Sequence, residues 1–249
     1  MIQEPFAKGR SFLHRADPRL KVVLAGGFSL IVALTYDFTA LTIALFYAIL
    51  MVVIARLNFG AVARRLLALA GFLGLLWLVL PLTFSGETLF SMGPIPFYRQ
   101  GLILAAQISL KSAAILLALI ALITTMTVAT LGATLNRLGV PLKLVALLLM
   151  TYRYIFVITH EFERLANAAK IRAFKPGTNL HTYKTLAYFV GMLFVQAVTR
   201  ARRVHNAMRC RGFKGRFYTL YEFLPLGQNK LFIGAIALIL SSLIWLEWI

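Results

Sequence analysis

Residues 66–83 read Leu-Leu-Ala-Leu-Ala-Gly-Phe-Leu-Gly-Leu-Leu-Trp-Leu-Val-Leu-Pro-Leu-Thr and contain no charged side chain. At a rise of about 1.5 Å per residue, a helix of this length spans about 27 Å, close to the roughly 30 Å hydrocarbon core of a bilayer. A soluble domain has no need for an uncharged apolar run this long. The stretch therefore predicts a helix that crosses a membrane.

Other apolar runs on both sides of this stretch predict the same class of protein. Val22–Ala55 is too long for one crossing and is broken by Tyr36-Asp37, which predicts a helical hairpin turning there. Gly101–Ala129 and Leu231–Ile249 are further candidate spans. Between them, Phe84–Gln100 is rich in Gly, Pro and Ser and is predicted to be a loop.

Composition restricts the possible functions. The chain has 249 residues, of which 60% are apolar and 14% charged, yet its net charge is +18. So much positive charge alone suggests a nucleic-acid binder, but such proteins are rarely this apolar, so no nucleic-acid partner is expected. A soluble enzyme and a disordered basic arm are excluded by the same apolarity. A disulfide scaffold is excluded because Cys210 is the lone cysteine.

Lysines and arginines concentrate on alternate connections, which predicts the side of the membrane that each connection faces. The segment before Val22 holds five of them, so the N-terminus is predicted to be cytoplasmic. The Tyr36-Asp37 turn holds none and Phe84–Gln100 holds only Arg99, so both are predicted to lie outside. The connections predicted to lie inside carry Arg56, Arg64, Arg65, Arg137 and Lys143.

The segment 141–227 contains two more apolar stretches, Leu142–Ile158 and Leu186–Val198. If both crossed, the basic loop between them would lie outside, against the positive-inside rule. If neither crosses, every Lys and Arg except Arg99 and Lys111 faces the cytoplasm. We therefore predict an all-α integral membrane protein with about five transmembrane helices and a cytoplasmic-side domain of long amphipathic helices.

These predictions divide the chain into four parts. Residues 1–21 are a cytoplasmic N-terminal segment, and residues 22–130 hold transmembrane helices one to four. Residues 131–230 form the cytoplasmic helical domain, and residues 231–249 are the last transmembrane helix, with the C-terminus outside. No removable signal peptide is evident, because the first apolar run follows five basic residues and has no small-x-small cleavage site.

Within the cytoplasmic domain one octapeptide nearly repeats. Residues 167–174 read Asn-Ala-Ala-Lys-Ile-Arg-Ala-Phe and residues 206–213 read Asn-Ala-Met-Arg-Cys-Arg-Gly-Phe. Each copy is predicted to end an amphipathic helix, terminated by Pro176-Gly177 after the first copy and by Gly212 in the second. Small residues let a partner backbone approach, and arginine supplies a planar fork of donors for its carboxylates or carbonyls. The alternative is a basic surface helix resting on anionic lipid.

The chain resembles the transmembrane coupling (T) component of energy-coupling-factor transporters, in particular the CbiQ-like cobalt/nickel branch. The resemblance covers nearly the whole chain and is carried by four blocks with the family's spacing. The blocks are His14-Arg15-Ala16-Asp17-Pro18-Arg19-Leu20-Lys21, Leu135-Asn136-Arg137-Leu138-Gly139-Val140-Pro141, Thr151-Tyr152-Arg153-Tyr154 and Cys210-Arg211-Gly212-Phe213-Lys214-Gly215-Arg216-Phe217.

The resemblance implies a multi-pass protein of the bacterial inner membrane without catalytic residues, metal site or cofactor of its own. Two coupling helices of the family end in Ala-Arg-Gly-type motifs that dock on two ATP-binding-cassette ATPases (CbiO-like), which carry ATP and magnesium. A separate substrate-binding membrane subunit, the S component (CbiM-like), receives the motion. The carried-over docking residues are Ile171, Arg172, Ala173, Cys210, Arg211 and Gly212. The residues expected to support them are Ala168, Ala169, Phe174, Ala207, Met208 and Phe213.

The motifs depart from the family pattern, since Ile171 and Cys210 stand in place of the leading Ala and Ala173 in place of the first Gly. The substrate implied is cobalt or nickel, and the alternative is a T component serving a vitamin importer. Two other classes, a stand-alone carrier and an intramembrane enzyme, would require polar residues along several spans or paired acidic and His residues inside them. Lys111 and Gln107, one turn apart, are predicted to be polar residues buried in the membrane, and Lys111 is expected to bond carbonyls or a partner subunit.

Overall fold

The structure is a computed structural model that describes residues 9, 11–83, 88–92, 95–215 and 230–247. Lys8 and Arg10, two of the five basic residues before Val22, and Arg216 and Phe217 of the fourth block lie outside the described residues. The elements in chain order are helices α1 (Phe12–Arg15), α2 (Pro18–Leu34), α3 (Phe38–Ile54) and α4 (Phe59–Thr83), strands β1 (Thr88–Met92) and β2 (Ile95–Tyr98), and helices α5 (Arg99–Leu122), α6 (Val128–Arg137), α7 (Leu142–Ile171), α8 (Leu180–Cys210) and α9 (Lys230–Glu247).

The prediction of an all-α membrane protein is confirmed. Within the described residues, α4, α5 and α7 are long and apolar enough to cross a membrane, and α3 is a shorter apolar helix. The charge argument placed the first half of α7, Leu142–Ile158, on the cytoplasmic side, and that placement stays a prediction. Contacts divide the described chain into two compact units, one before Leu135 together with α9, and the other from Leu135 to Gly215.

The helix break predicted at Tyr36-Asp37 is present, because α2 ends at Leu34 and α3 begins at Phe38. The two helices do not pack together as the predicted hairpin, since each packs on α5 instead. The side chain of Asp17 caps α2 by accepting a hydrogen bond from the amide of Arg19 at 2.8 Å, and Pro18 occupies the first helical turn. Both features favour a helix start, because Asp accepts from free first-turn amides and Pro lacks an amide there.

The core of the first unit lies where α3 packs on α5. It is rich in alanines that are 0–1% exposed and spaced one turn apart. Such small residues let two helix backbones approach closely. Because the hydrophobic effect does not favour helix association inside lipid, dispersion contacts between the close backbones stabilise the pair instead. These residues are Ala40, Ala44 and Ala48 on α3 and Ala114, Ala118 and Ala121 on α5.

The predicted run Gly101–Ala129 is wrong as one continuous element, because α5 ends at Leu122 and α6 starts at Val128. A cluster of threonines explains the break. The hydroxyl of Thr125 donates to the carbonyl of Leu122 at 3.0 Å, and the hydroxyl of Thr127 accepts from the amide of Thr130 at 3.2 Å. Threonine hydroxyls offer backbone groups an alternative to helical bonds, which favours helix ends over helix interiors.

The predicted loop Phe84–Gln100 also differs from the prediction. Strands β1 and β2 pair as an antiparallel hairpin in which Phe90 lies opposite Phe97 and Ser91 opposite Pro96. Aromatic and β-branched residues in both strands favour this pairing, and the Gly and Pro content of the segment concealed it.

The second unit contains the antiparallel pair α7 and α8. Their connection is closed by an aromatic cluster in which the ring of Phe174 lies 6.2 Å from the rings of Phe189 and His181. Phe162 of α7 contacts the same Phe189 ring at 6.4 Å. The turn is further fixed by the amide of Gly177, which donates to the hydroxyl of Thr182. These contacts hold the start of α8 against the end of α7.

Candidate docking site

The first helix end, residues 168–174, closes α7 through a residue with left-handed backbone. Ala173 has a φ of +61°. Its amide donates to the carbonyl oxygen of Lys170 at 3.0 Å, and the amide of Phe174 donates to the carbonyl oxygen of Ala169 at 3.0 Å. These two bonds form a Schellman cap, which satisfies carbonyls that a helix C-terminus otherwise leaves unpaired.

The second helix end, residues 207–213, closes α8 in the same way. Gly212 has a φ of +75° and its amide donates to the carbonyl oxygen of Arg209 at 3.0 Å. The amide of Phe213 donates to the carbonyl oxygen of Met208 at 3.0 Å. The octapeptide repeat is therefore a repeat of local structure, position by position.

The two ends also expose equivalent residues. At each end the arginine is exposed, and so are the residues directly before and after it and an alanine one helical turn earlier. The residue three positions before the arginine and the Phe two positions after it are half-buried. The exposed residues are Ala168, Ile171, Arg172 and Ala173 at the first end and Ala207, Cys210, Arg211 and Gly212 at the second. The half-buried residues are Ala169 and Phe174 at the first end and Met208 and Phe213 at the second.

Both guanidinium groups are unpaired within the described residues. The side chains of Arg172 and Arg211 make no hydrogen bond or ion pair there. Each stands beside the last carbonyls of its helix, whose partial negative charge favours a cation at that place. Five N–H donors on a planar group therefore stay available at each end for a partner's carboxylate or carbonyl oxygens.

The helix pair separates the two ends. The first end contacts the beginning of α8 through Phe174, which packs on His181 and Phe189. The second end closes α8 at Arg211. At about 1.5 Å per residue, the distance along α8 between these places is roughly 30–45 Å. The unit thus presents two similar contact points at its opposite extremes.

One terminator was predicted at the wrong place. Pro176-Gly177 were expected to stop the first helix, whereas the cap forms three residues earlier, with Ala173 in the left-handed conformation. A left-handed alanine costs about 1–2 kcal/mol, so glycine would be the expected residue there. The ring contacts of Phe174 provide the packing that offsets this cost.

Lys111 and Gln107 lie together against the corner between α2 and α3. The ammonium of Lys111 donates to the carbonyl oxygen of Ala33 at 3.0 Å and lies 4.3 Å from the centre of the Tyr36 ring. The amide of Gln107 donates to the carbonyl oxygen of Tyr36 at 2.8 Å. The expected bond from Lys111 to a carbonyl is therefore present, and both polar groups support the helix corner.

Glu161 has a different role from its polar neighbours in the sequence. His160 and Glu163 form an exposed pair at 3.1 Å, with side chains 75% and 58% exposed. The side chain of Glu161 is only 17% exposed and accepts a hydrogen bond from Arg200 of α8. Sequence reasoning missed this pair, because the two residues are 39 positions apart. Among the described residues no group of three or more His, Cys, Asp or Glu is placed to hold a metal.

The fold and the two helix ends define a helical membrane protein with contact points at the tips of a long helix pair. A family model described as CbiQ, cobalt transport protein, matches residues 9–219. The chain belongs to this family. The family resemblance stated from the sequence is thereby confirmed, and the cobalt/nickel branch stays a prediction.

Several similar proteins carry the name energy-coupling factor transporter transmembrane protein EcfT. The one from Brevibacillus brevis is 28% identical over 84% of this chain and 83% of its own length. The one from Bacillus subtilis is 27% identical over 86% of this chain and 85% of its own length. The one from Acidaminococcus fermentans is 27% identical over 96% of this chain and 94% of its own length. The similarity thus extends over nearly the whole chain.

Proposed function

We propose that this chain is the energy-coupling transmembrane subunit of an ATP-driven importer. In this role it catalyses no reaction and passes the motion of two cytoplasmic ATPases to a separate membrane subunit that binds the substrate. The observation that carries the proposal is the pair of matched caps, each with an exposed and unpaired arginine. The name of the similar proteins, energy-coupling factor transporter transmembrane protein, agrees with this role.

Each end would dock on one ATPase. Arg172 and Arg211 would pair with carboxylate or carbonyl oxygens in a groove, and the exposed small residues beside them would let the groove walls close in. Because roughly 30–45 Å of helix lies between the ends, two separate partners fit better than one continuous surface. When nucleotide binding draws the two ATPases together, the ends follow, and the crossing of α7 over α8 changes.

The transported substrate is proposed to be a cobalt or nickel ion held by the separate membrane subunit. The family's description as a cobalt transport protein supports this choice. A vitamin importer is the alternative. Uptake of radioactive cobalt and of a vitamin by cells that express the whole transporter separates the two.

Co-purification tests the docking. The chain is expressed with its ATPases, and the variant Arg172→Ala/Arg211→Ala is compared with the native sequence and with Arg203→Ala. Arg203 is exposed on α8 outside both ends, so its substitution removes a similar charge from the same helix. We expect the double variant to enter the membrane at normal levels and to lose the ATPases, and Arg203→Ala to retain them. Normal association and transport in the double variant would refute the proposal.

The orientation is proposed from the basic residues, with the N-terminus and both helix ends in the cytoplasm. Lys170 lies on the exposed side of the first helix end. In a Cys210→Ser background, Lys170→Cys should react with a membrane-impermeant maleimide only in inside-out vesicles. Reaction in intact cells would show that this segment faces outward.

A further inference from the structure

Helices α7 and α8 are fastened to each other at two places. The first is the aromatic cluster near their connection, where Phe189 of α8 contacts Phe162 of α7. The second is an ion pair, in which the carboxylate of Glu161 accepts a hydrogen bond from the guanidinium of Arg200. The two contacts lie side by side on α7 and far apart on α8.

This spacing fixes the angle between the helices. A contact at one point lets a helix turn about that point, whereas a second contact some distance away prevents the turn. At about 1.5 Å per residue, roughly 16 Å of α8 lies between Phe189 and Arg200. A similar length of α8 leads on from Arg200 to the second helix end at Arg211. The ion pair therefore lies about halfway between the aromatic cluster and that end.

Movement of the second end acts directly on the ion pair. If α8 turns about Phe189, the backbone at Arg200 moves about half as far as the backbone at Arg211. A shift of about 4 Å at Arg211 moves Arg200 by about 2 Å, more than the roughly 0.5 Å by which an N–H···O bond can lengthen before it is lost. The pair of Arg200 with Glu161 in its present geometry then breaks.

Beside the ion pair the two helices do not pack tightly. A cleft of about 330 Å³ lies between them and opens to the surface. Glu161 and Arg200 line it together with mainly aliphatic side chains, among them Ile155, Leu193 and Ala197. Interlocking side chains normally fix the angle at which two helices cross. Here they leave space, so the ion pair holds the angle and the helices can move without a clash.

Glu161 keeps a partner when Arg200 leaves. Its side chain is only 17% exposed, so a carboxylate without any cation there would be costly. Its other oxygen lies 3.5 Å from the guanidinium of Arg164, one turn further along α7. Because Arg164 belongs to the same helix, it stays beside Glu161 when α8 moves.

Arg200 in turn has a second acceptor on its own helix. The side-chain oxygen of Gln196 is buried and accepts no hydrogen bond from the described residues. Gln196 precedes Arg200 by one helical turn and lines the same cleft, so the two side chains share one face of α8. A buried acceptor without a donor is unfavourable, and an arginine released from Glu161 supplies donors. The hydrogen bond lost between the helices can thus be replaced within α8.

We propose that Glu161, Arg200 and Gln196 form a two-position latch between α7 and α8. In the closed position Arg200 pairs with Glu161 and fixes one crossing angle. In the open position Arg200 donates to Gln196 while Glu161 stays with Arg164, and the second helix end is free to move. Opening rests on the proposed function, because the ATPases supply the force, whereas the closed position depends on this chain alone.

Distances between two spin labels test the closed position. The labels are placed at Lys143 on α7 and His205 on α8, which are exposed and lie outside the cleft and both helix ends. Every chain carries Cys210→Ser, so that these two labels are the only ones attached. The full-length chain is measured in nanodiscs without ATPases, and the native latch should give one narrow distance distribution.

Removal of the ion pair should widen this distribution. Glu161→Gln/Arg200→Gln removes both charges together, so no buried charge is left alone, and the distribution should become roughly twice as wide. The matched control is Glu163→Gln/Arg203→Gln, which removes the same two charges from exposed sites on the same helices. The control should keep the narrow distribution.

The open position is tested by the opposite kind of variant. Gln196→Leu keeps the ion pair and removes the acceptor that receives Arg200. In the transporter assembled with its ATPases, it should lower ATP hydrolysis about threefold and reduce the fraction of molecules in which nucleotide changes the label distance. Glu161→Gln/Arg200→Gln should instead raise hydrolysis without substrate about fivefold. Effects of opposite sign distinguish a latch from a general loss of packing.

A distribution in Glu161→Gln/Arg200→Gln as narrow as the native one would show that the ion pair does not set the angle. Faster hydrolysis by Gln196→Leu would rule out the open position. Failure of the ATPases to bind the native chain would overturn the proposed function and with it the opening by nucleotide, whereas the distances measured without ATPases would still decide the closed position.

Discussion

The two helix ends share their hydrogen bonds and differ in what holds them. The first uses a left-handed alanine, Ala173, and is fastened to α8 by the ring of Phe174 on Phe189 and His181. The second uses a left-handed glycine, Gly212, which has no atom within 4 Å of the place where a Cβ would stand. The comparison teaches that the same cap hydrogen bonds form around an alanine that is held by neighbouring rings and around a glycine that needs no such support.

The largest expected effect comes from removing one arginine at a time. An arginine at the centre of an interface commonly contributes 2 kcal/mol or more, which is roughly 30-fold in affinity. Because the caps present Arg172 and Arg211 in the same way, each alanine variant should weaken ATPase binding by about this factor. Titration of the ATPases against each variant in nanodiscs measures the affinity. If Arg172→Ala leaves the ATPase affinity unchanged while Arg211→Ala lowers it, the two ends are not equivalent.

The next effect concerns the aromatic cluster. Phe189→Ala removes ring contacts with both Phe162 and Phe174, each worth about 0.5–1.5 kcal/mol, so it should destabilise the first end by about 2 kcal/mol. Hydrogen exchange of the amides at residues 168–174 should rise, while residues 207–213 stay protected. Phe194→Ala provides the control, since Phe194 is 71% exposed on the same helix. Equal exchange at both ends after Phe189→Ala would show that the cluster does not fix the first end.

A smaller effect is expected at the glycine. Gly212→Ala meets no neighbouring atom, so its cost comes from the left-handed φ alone, at about 1–2 kcal/mol. Faster hydrogen exchange in the last turn of α8 should report this cost. Unchanged exchange would mean that the second end tolerates alanine as the first end does.

The smallest effect is the reverse change at the first end. Ala173→Gly relieves the strain of the left-handed alanine and adds flexibility to the unfolded chain, so a net stabilisation of about 0.5–1 kcal/mol is expected. Slower exchange in the last turn of α7 would confirm it. A loss of protection there would show that Ala173 makes a contact that glycine cannot replace.

Local sequence features predicted the elements that depend on neighbouring residues. The helix break at Tyr36-Asp37 and the helix end at Gly212 follow from the length of a membrane span and from turn chemistry. The repeat itself predicted two matched helix ends, and their hydrogen bonds agree residue by residue.

Features that depend on distant residues could not be predicted. The ion pair of Glu161 could not be found from its neighbours in the sequence, because its partner, Arg200, lies on the next helix. The left-handed Ala173 depends on a ring contact with Phe189, which no local rule for helix ends contains. Lys111 was expected to bond a carbonyl, but nothing in the sequence selects Ala33 as the acceptor.

The bond between Lys111 and Ala33 also has a consequence for the order of events during synthesis. Its two residues are 78 positions apart. At about 5–20 residues per second, the ribosome needs roughly 4–16 s to supply the lysine after the alanine. During that interval the corner between α2 and α3 lacks the ammonium group that donates to it. The corner between α2 and α3 can therefore take its final form only after α5 has been synthesised.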